Sequence, residues 1–228
     1  MIGQESRSAG RDGVRSVGAM NDTIENLTLH VSDIASAQAF YDRSFALGDR
    51  LRFRLADAEA TGLRGYTLSL VAAQPGDVRA LTDAAVAAGA TVIKPVTKSL
   101  WGVGGTVQAP DGAIWKIATT AKKDTAPATA SFTEIVLLLG AADVAASRSF
   151  YADNGIPVAK SFGRSYVQFD TGSGPVGLGL YRHASLAKDA GVAASGSGSH
   201  LLTINGSLGA AVDPDGFVWA PASVSADA

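Results

Sequence analysis

The sequence predicts an α+β chain built from two tandem copies of one β-α-β-β-(α)-β unit. Two observations carry that prediction. A motif set recurs: Asp33 with Phe40-Tyr41 returns as Asp143 with Phe150-Tyr151, and Pro110-Asp111-Gly112 with Trp115 returns as Pro214-Asp215-Gly216 with Trp219. Self-similarity on this scale marks a repeated supersecondary unit. The apolar period also switches from two to three-or-four in the same order in both halves. At 228 residues the chain is long enough for two such units, each able to bury a core.

Each element of the first unit has a local reason. Leu27, Leu29 and Val31 alternate with Asn26, Thr28 and His30, which predicts a strand over Ile24–Val31. Ser32 or Asp33 is placed to cap a helix carrying Ile34, Ala37, Phe40, Tyr41 and Phe45 at helical spacing, with Gly48 as its stop. Strands follow over Leu51–Leu55 and Tyr66–Val71. Val78, Leu81, Ala85 and Ala88 form one stripe of a second helix over Pro75–Ala88, ended by Gly89. A short strand is expected at Thr91–Ile93. Thr106–Gln108 and Ala113–Ala118 then form a hairpin across Pro110-Asp111-Gly112. The second unit predicts a strand over Glu134–Leu139, a helix from Asp143 to about Asn154, and strands over Tyr166–Asp170, Val176–Tyr181 and His200–Ile204. Its second helix is expected to be missing, because Asn205-Gly206-Ser207 leads straight into the last hairpin.

These patterns divide the chain into a polar tail or leader (1–20), a first module (21–119), a linker (120–131), a second module (132–224) and a short tail (225–228). Composition then narrows the function. Nineteen basic and twenty-one acidic side chains give a net charge of −2 with no Lys/Arg block, which argues against a nucleic-acid partner. The absence of cysteine excludes disulfides, thiol nucleophiles and Cys-ligated metals. No apolar stretch reaches the length of a membrane span, and the first residues lack the apolar core of a secretory signal. The expectation is a cytoplasmic monomer or homodimer that binds a small molecule, with no nucleic-acid or membrane partner. No dinucleotide fingerprint, Walker sequence or nucleophile elbow appears.

The doubled element order, with VSDIASAQAFY after the first strand, AVAAGATVIKPVTKSLWGVGG before the hairpin, and APDGAIWKIA and DPDGFVWAPA closing the halves, resembles the glyoxalase/bleomycin-resistance group of the vicinal oxygen chelate superfamily. The resemblance covers residues 24–222. It implies two βαβββ modules whose mixed sheets curl into a cup, the glyoxalase/bleomycin resistance/dioxygenase fold. It also implies that metal-dependent members carry His, Gln or Glu ligands on the first and last strands of each module. Those positions fall on Asn26, Lys116, Ile135 or Val136, and Ala220. A further ligand position of extradiol-type members falls on His200. One amide, one ammonium and two apolar side chains do not make a conventional chelate, so no metal cofactor is expected.

Lys116 shares a strand face with Ile114 and Ala118. In the family register it supplies a fixed positive charge to the cup, suited to an anionic or carbonyl-bearing ligand. Asn26, Thr28 and His30 form a polar face on the first strand. Trp101, beside Gly102-Val103-Gly104-Gly105, is a candidate lid or stacking surface. His200 is a candidate base, hydrogen-bond donor or strand-edge histidine, and the candidate catalytic residue. The resulting expectation is a metal-independent small-molecule (drug or metabolite) binding protein with ligand contacts from Asn26, Thr28, His30, Trp101, Lys116 and His200. The alternatives are a glyoxalase-like lyase/isomerase or dioxygenase-type enzyme, with a divalent metal or a His-based site, and an interaction scaffold. Trp115 and Trp219, at matching places in the two halves, are expected to pack against helices.

Overall fold

In a computed structural model, residues 23–163 and 165–222 are described; both expected tails, 1–20 and 225–228, lie outside them. The first half runs β1 (Ile24–Val31), α1 (Ile34–Ser44), β2 (Leu51–Leu55), β3 (Ala60–Gly62), β4 (Tyr66–Val71), α2 (Pro75–Ala88), β5 (Thr91–Ser99), β6 (Gly102–Gln108) and β7 (Ile114–Thr119). The second half runs β8 (Glu134–Ala141), α3 (Val144–Asp153), β9 (Val158–Phe162), β10 (Tyr166–Phe169), β11 (Val176–Arg182), α4 (His183–Ala190), β12 (Gly196–Gly198), β13 (Leu202–Gly206), β14 (Ala211–Val212) and β15 (Val218–Pro221).

Of the two cap candidates for α1 the structure uses Asp33, and Asp143 caps α3; each accepts a backbone N–H from the first turn. Pro75 sits in the first turn of α2, where its missing N–H costs nothing, and Gly89 closes that helix at φ 115°. The expected short strand at Thr91 extends to Ser99, and with β6 it makes a long hairpin whose tip holds Leu100 and Trp101.

Two expectations are corrected, a strand start at β13 and a helix between β11 and β12. The strand expected from His200 begins at Leu202, because Leu201 adopts φ 53° and breaks the extended backbone. The second half also has the helix it was expected to lack. α4 occupies the same place in element order as α2, and its stop is Gly191 at φ 83°. Its apolar stripe is only Leu186, Ala187 and Ala190, too short for periodicity to register against a polar background.

The strands form a five-stranded sheet in the order β14-β15-β13-β1-β2, an eight-stranded sheet in the order β5-β6-β7-β4-β8-β11-β10-β9, and a two-stranded sheet of β12 and β3. Each sheet mixes the halves: β1 runs antiparallel to β13, and β8 runs antiparallel to β4. The inner faces bury Leu27, Leu29, Leu68, Leu70, Leu137, Leu139, Leu178 and Leu180 in one core. Trp115 and Trp219 are sealed within it against Tyr41 and Tyr151. The outer faces carry the polar residues. Among the described residues, no helix is long and apolar enough to cross a membrane.

Candidate functional site

Strand pairing decides which side chains can meet. On the outer face of the eight-stranded sheet, Thr106, Lys116, Ser69, Val136 and Gly177 lie side by side in one cross-strand row. On the five-stranded sheet, Asn26, Asn205 and Ala220 form the corresponding row. Lys116 and Val136 therefore share one face, while Asn26 and Ala220 share the other. The expected meeting of Asn26 with Lys116 does not occur, because each half's first strand is hydrogen-bonded to later strands of the opposite half.

The Lys116 face is partly covered by α4. Leu186 and His183 pack over Gly140, where a Cβ would lie 3.1 Å from Leu186 Cδ2 and 3.0 Å from His183 Nδ1. Ala187 and Ala190 join Leu63 and Ile114 in a small apolar cluster separate from the main core. The helix end is tied down by two lysines. Lys116 Nζ donates to both carboxylate oxygens of Asp189 at 2.8 and 2.6 Å, and Lys94 Nζ donates to the carbonyls of Lys188 and Asp189 at 2.8 and 2.7 Å. Cations at a helix C-terminus are favoured by the exposed carbonyls and the helix dipole.

Between these lysines and the β5–β6 hairpin lies a cleft of about 420 Å³. Val71, Pro95, Val103 and Ala118 give it an apolar lining, with Thr106, Lys94, Lys116 and Asp189 as polar groups. Trp101 stands at its rim, 83% exposed. Farther along the same sheet, Phe162, Tyr166 and Tyr181 form a ladder of rings with centroids 6.1 and 4.9 Å apart. Burial, then the negative charge of Asp189, pushes the Tyr181 hydroxyl up to about 12. Burial also raises the Glu134 carboxyl. Asp189, Lys94 and the tyrosine ladder escape a reading limited to family positions. The one sequence sign of Asp189 is its place in the last turn before Gly191.

The Asn26, Thr28 and His30 face is a separate, knitted network. Asn205 Nδ2 donates to Asn26 Oδ1 and to Thr28 Oγ1, both at 2.8 Å. His30 Nε2 meets Thr203 Oγ1 at 2.9 Å, and the Arg54 guanidinium stands 3.2 Å from its Nδ1. Burial, and then the Arg54 charge, hold the His30 imidazole below its ordinary value. A depressed imidazole favours the folded state above pH 6.5 and loses that contribution as pH falls through its lowered folded value. His30→Gln is therefore expected to flatten the loss of stability on acidification below pH 6.5, read as urea midpoints across pH. An unchanged slope would remove His30 from the account.

His200 lies elsewhere again. Its Nδ1 is 2.6 Å from the Arg64 carbonyl and its Nε2 is 3.1 Å from the Asp215 carbonyl, with the ring stacked on Phe217 at 3.9 Å. It lines a cavity of about 270 Å³ with His183 and Asp215. Its two nitrogens face carbonyls on separate backbone segments, so both are turned toward the main chain.

A divalent ion of the kind the fold resemblance implies does not fit these donors. The one orphaned polar atom at a family ligand position is Asn26 Nδ2, a donor and not an acceptor. Lys116 is an ammonium, and His30 Nδ1 faces a guanidinium. Among the described residues, no group of three His, Cys, Asp or Glu side chains gathers at one point.

No family model and no curated protein matches the sequence. Solved structures do match its shape. A glyoxalase I variant from Zea mays superposes over 87% of this chain and 93% of its own with a TM-score of 0.55 at 13% identity. A second variant in another crystal form gives 86%, 90%, 0.53 and 13%. Another glyoxalase I structure from Zea mays gives 81%, 74%, 0.53 and 12% identity. The chain has the fold of these glyoxalase I structures. At such identities the likeness carries fold alone.

Proposed function

We propose that this chain is a metal-independent small-molecule binding protein, and that its ligand occupies the cleft between Lys116, Asp189 and the β5–β6 hairpin. The observation that carries this reading is the cleft's makeup. It is an apolar trough of small-ligand size with two ammonium groups and a carboxylate at one end and a free indole at its rim. A divalent ion is not part of the reading, because the family positions hold donors of the wrong charge or polarity. Fold likeness to glyoxalase I is compatible with isomerase chemistry, but His200, the candidate catalytic residue, and His30 both have their nitrogens engaged away from the cleft.

The three tryptophans make the test direct. Trp115 and Trp219 are buried and Trp101 is exposed, so ligand entry should change only the Trp101 emission. Titration with a panel of amphipathic aromatic compounds is expected to shift and quench that emission, and Trp101→Phe should remove the response. Saturable binding, seen by calorimetry, that leaves Trp101 emission unchanged would place the ligand elsewhere. Stoichiometric zinc, nickel, iron or manganese in protein purified without chelator would overturn the metal-independent reading.

A further inference from the structure

Resting on that reading, we propose that the cleft selects small organic anions, carboxylates with an apolar body, using Lys94 and Lys116 together. Among the described residues lining the cleft, Lys94, Lys116 and Asp189 are the charged ones, so the site carries one uncompensated positive charge. Both ammonium groups are fixed on the same residue, Lys94 on the Asp189 carbonyl and Lys116 on its carboxylate. Their positions are thereby set before a ligand arrives.

An ammonium has three N–H donors. Lys94 uses two on the carbonyls of Lys188 and Asp189, and Lys116 uses two on the Asp189 carboxylate. One donor remains on each. A carboxylate seated beside Asp189 has two oxygens with which to accept one hydrogen bond from each lysine, and its single charge balances the site. The Lys116–Asp189 pair is about one-third exposed on both sides, so solvent-borne ligand can reach it. Val71, Val103 and Ala118 then receive the apolar body, and Trp101 closes over its far end. A neutral ligand would leave the extra charge uncompensated. A cation would be repelled.

Three isosteric probes separate the outcomes: phenylbutyrate, phenylbutyramide and phenylbutylamine, titrated against the intact protein by Trp101 emission and calorimetry. Phenylbutyrate should bind most tightly. Lys116→Met and Lys94→Met, which keep the side-chain stem, should each weaken it about tenfold, the worth of one charge-assisted hydrogen bond. Asp189→Asn removes the competing carboxylate and should tighten phenylbutyrate while leaving phenylbutyramide unchanged. A gain on Asp189→Asn is a result that general unfolding cannot imitate. If the amide or the amine binds as well as the acid, the anion proposal falls while the cleft reading stands. If none of the three perturbs Trp101 in folded protein, both fall.

Discussion

Asp213→Ala is expected to lower the free energy of unfolding by about 3 kcal/mol, since it strips three donors of one shared acceptor in a buried setting. Asp213 Oδ2 accepts the Tyr151 hydroxyl at 2.6 Å, while Oδ1 accepts the backbone N–H of Asp215 at 3.0 Å and of Phe217 at 2.8 Å. Trp219 Nε1 completes the chain onto Tyr151 at 3.4 Å. The first half builds the same relay from Trp115, Tyr41 and Asp111. Both relays fasten a helix to the turn before the last strand of their half. Asp215→Ala should cost clearly less, because it loses the Ala142 N–H and the Ser147 hydroxyl at a more exposed site. Chemical denaturation of the two variants side by side checks this, and equal losses would mean that the relay is not the reason.

The same carboxylate gives a pH signature. Burial raises the Asp213 carboxyl from its ordinary value of 3.8, against the lowering effect of the Tyr151 hydrogen bond. The folded state then holds the proton more tightly than the unfolded chain. This contribution favours folding below pH 3.8 and is lost as pH rises through the elevated folded value. Asp213→Asn cannot ionise, so its stability relative to the parent should improve across that interval as pH climbs. A difference that stays constant with pH would contradict the raised carboxyl.

The two relays also show where sequence was readable and where it was not. The repeat of Pro-Asp-Gly equates Asp111 with Asp215, yet the Tyr151 hydroxyl is taken by Asp213, two residues earlier. Local spacing cannot reveal which of two nearby carboxylates turns inward. The strands of β1 and β8 and the caps of α1 and α3 were legible because short-range period and capping chemistry set them. α4 was not, since its eight residues owe their helicity to packing on a sheet that the local sequence does not mention. The site suffered in the same way. Lys116 could be placed on a strand face, but Asp189 and Lys94 meet it only through long-range pairing and the docking of α4. Asn26 and Lys116 looked like partners because position within a repeat was read as position in space. Cross-pairing of the halves sends them to different sheets.

Leu186→Ala should remove most of the hold of α4 on the eight-stranded sheet, at a cost of about 2–5 kcal/mol for a large buried aliphatic cut to a methyl. Leu186 is fully buried, and its methyl carbon packs where Gly140 has no side chain. The rest of the contact is His183 over Gly140, Ala187 and Ala190 against Leu63 and Ile114, and the lysine ties to Lys188 and Asp189. The part-exposed Lys116–Asp189 pair contributes on the order of 1 kcal/mol, and the Lys94 bonds reach only the carbonyls of Lys188 and Asp189 near the helix end, so the two lysines do not replace the apolar contact once Leu186 is gone. The helix also begins without a side-chain cap and spans two turns, too short to persist unaided. Because neither Leu186 nor the Ala187–Ala190 cluster belongs to the main core, the loss should be local. Hydrogen exchange is expected to accelerate strongly over residues 183–190 while β1 and β4 keep their protection. Equal acceleration of β1 would show that α4 unfolds only with the whole molecule. Local release would in turn free Asp189 from Lys116, making the cleft's positive end dependent on a helix that one apolar side chain keeps in place.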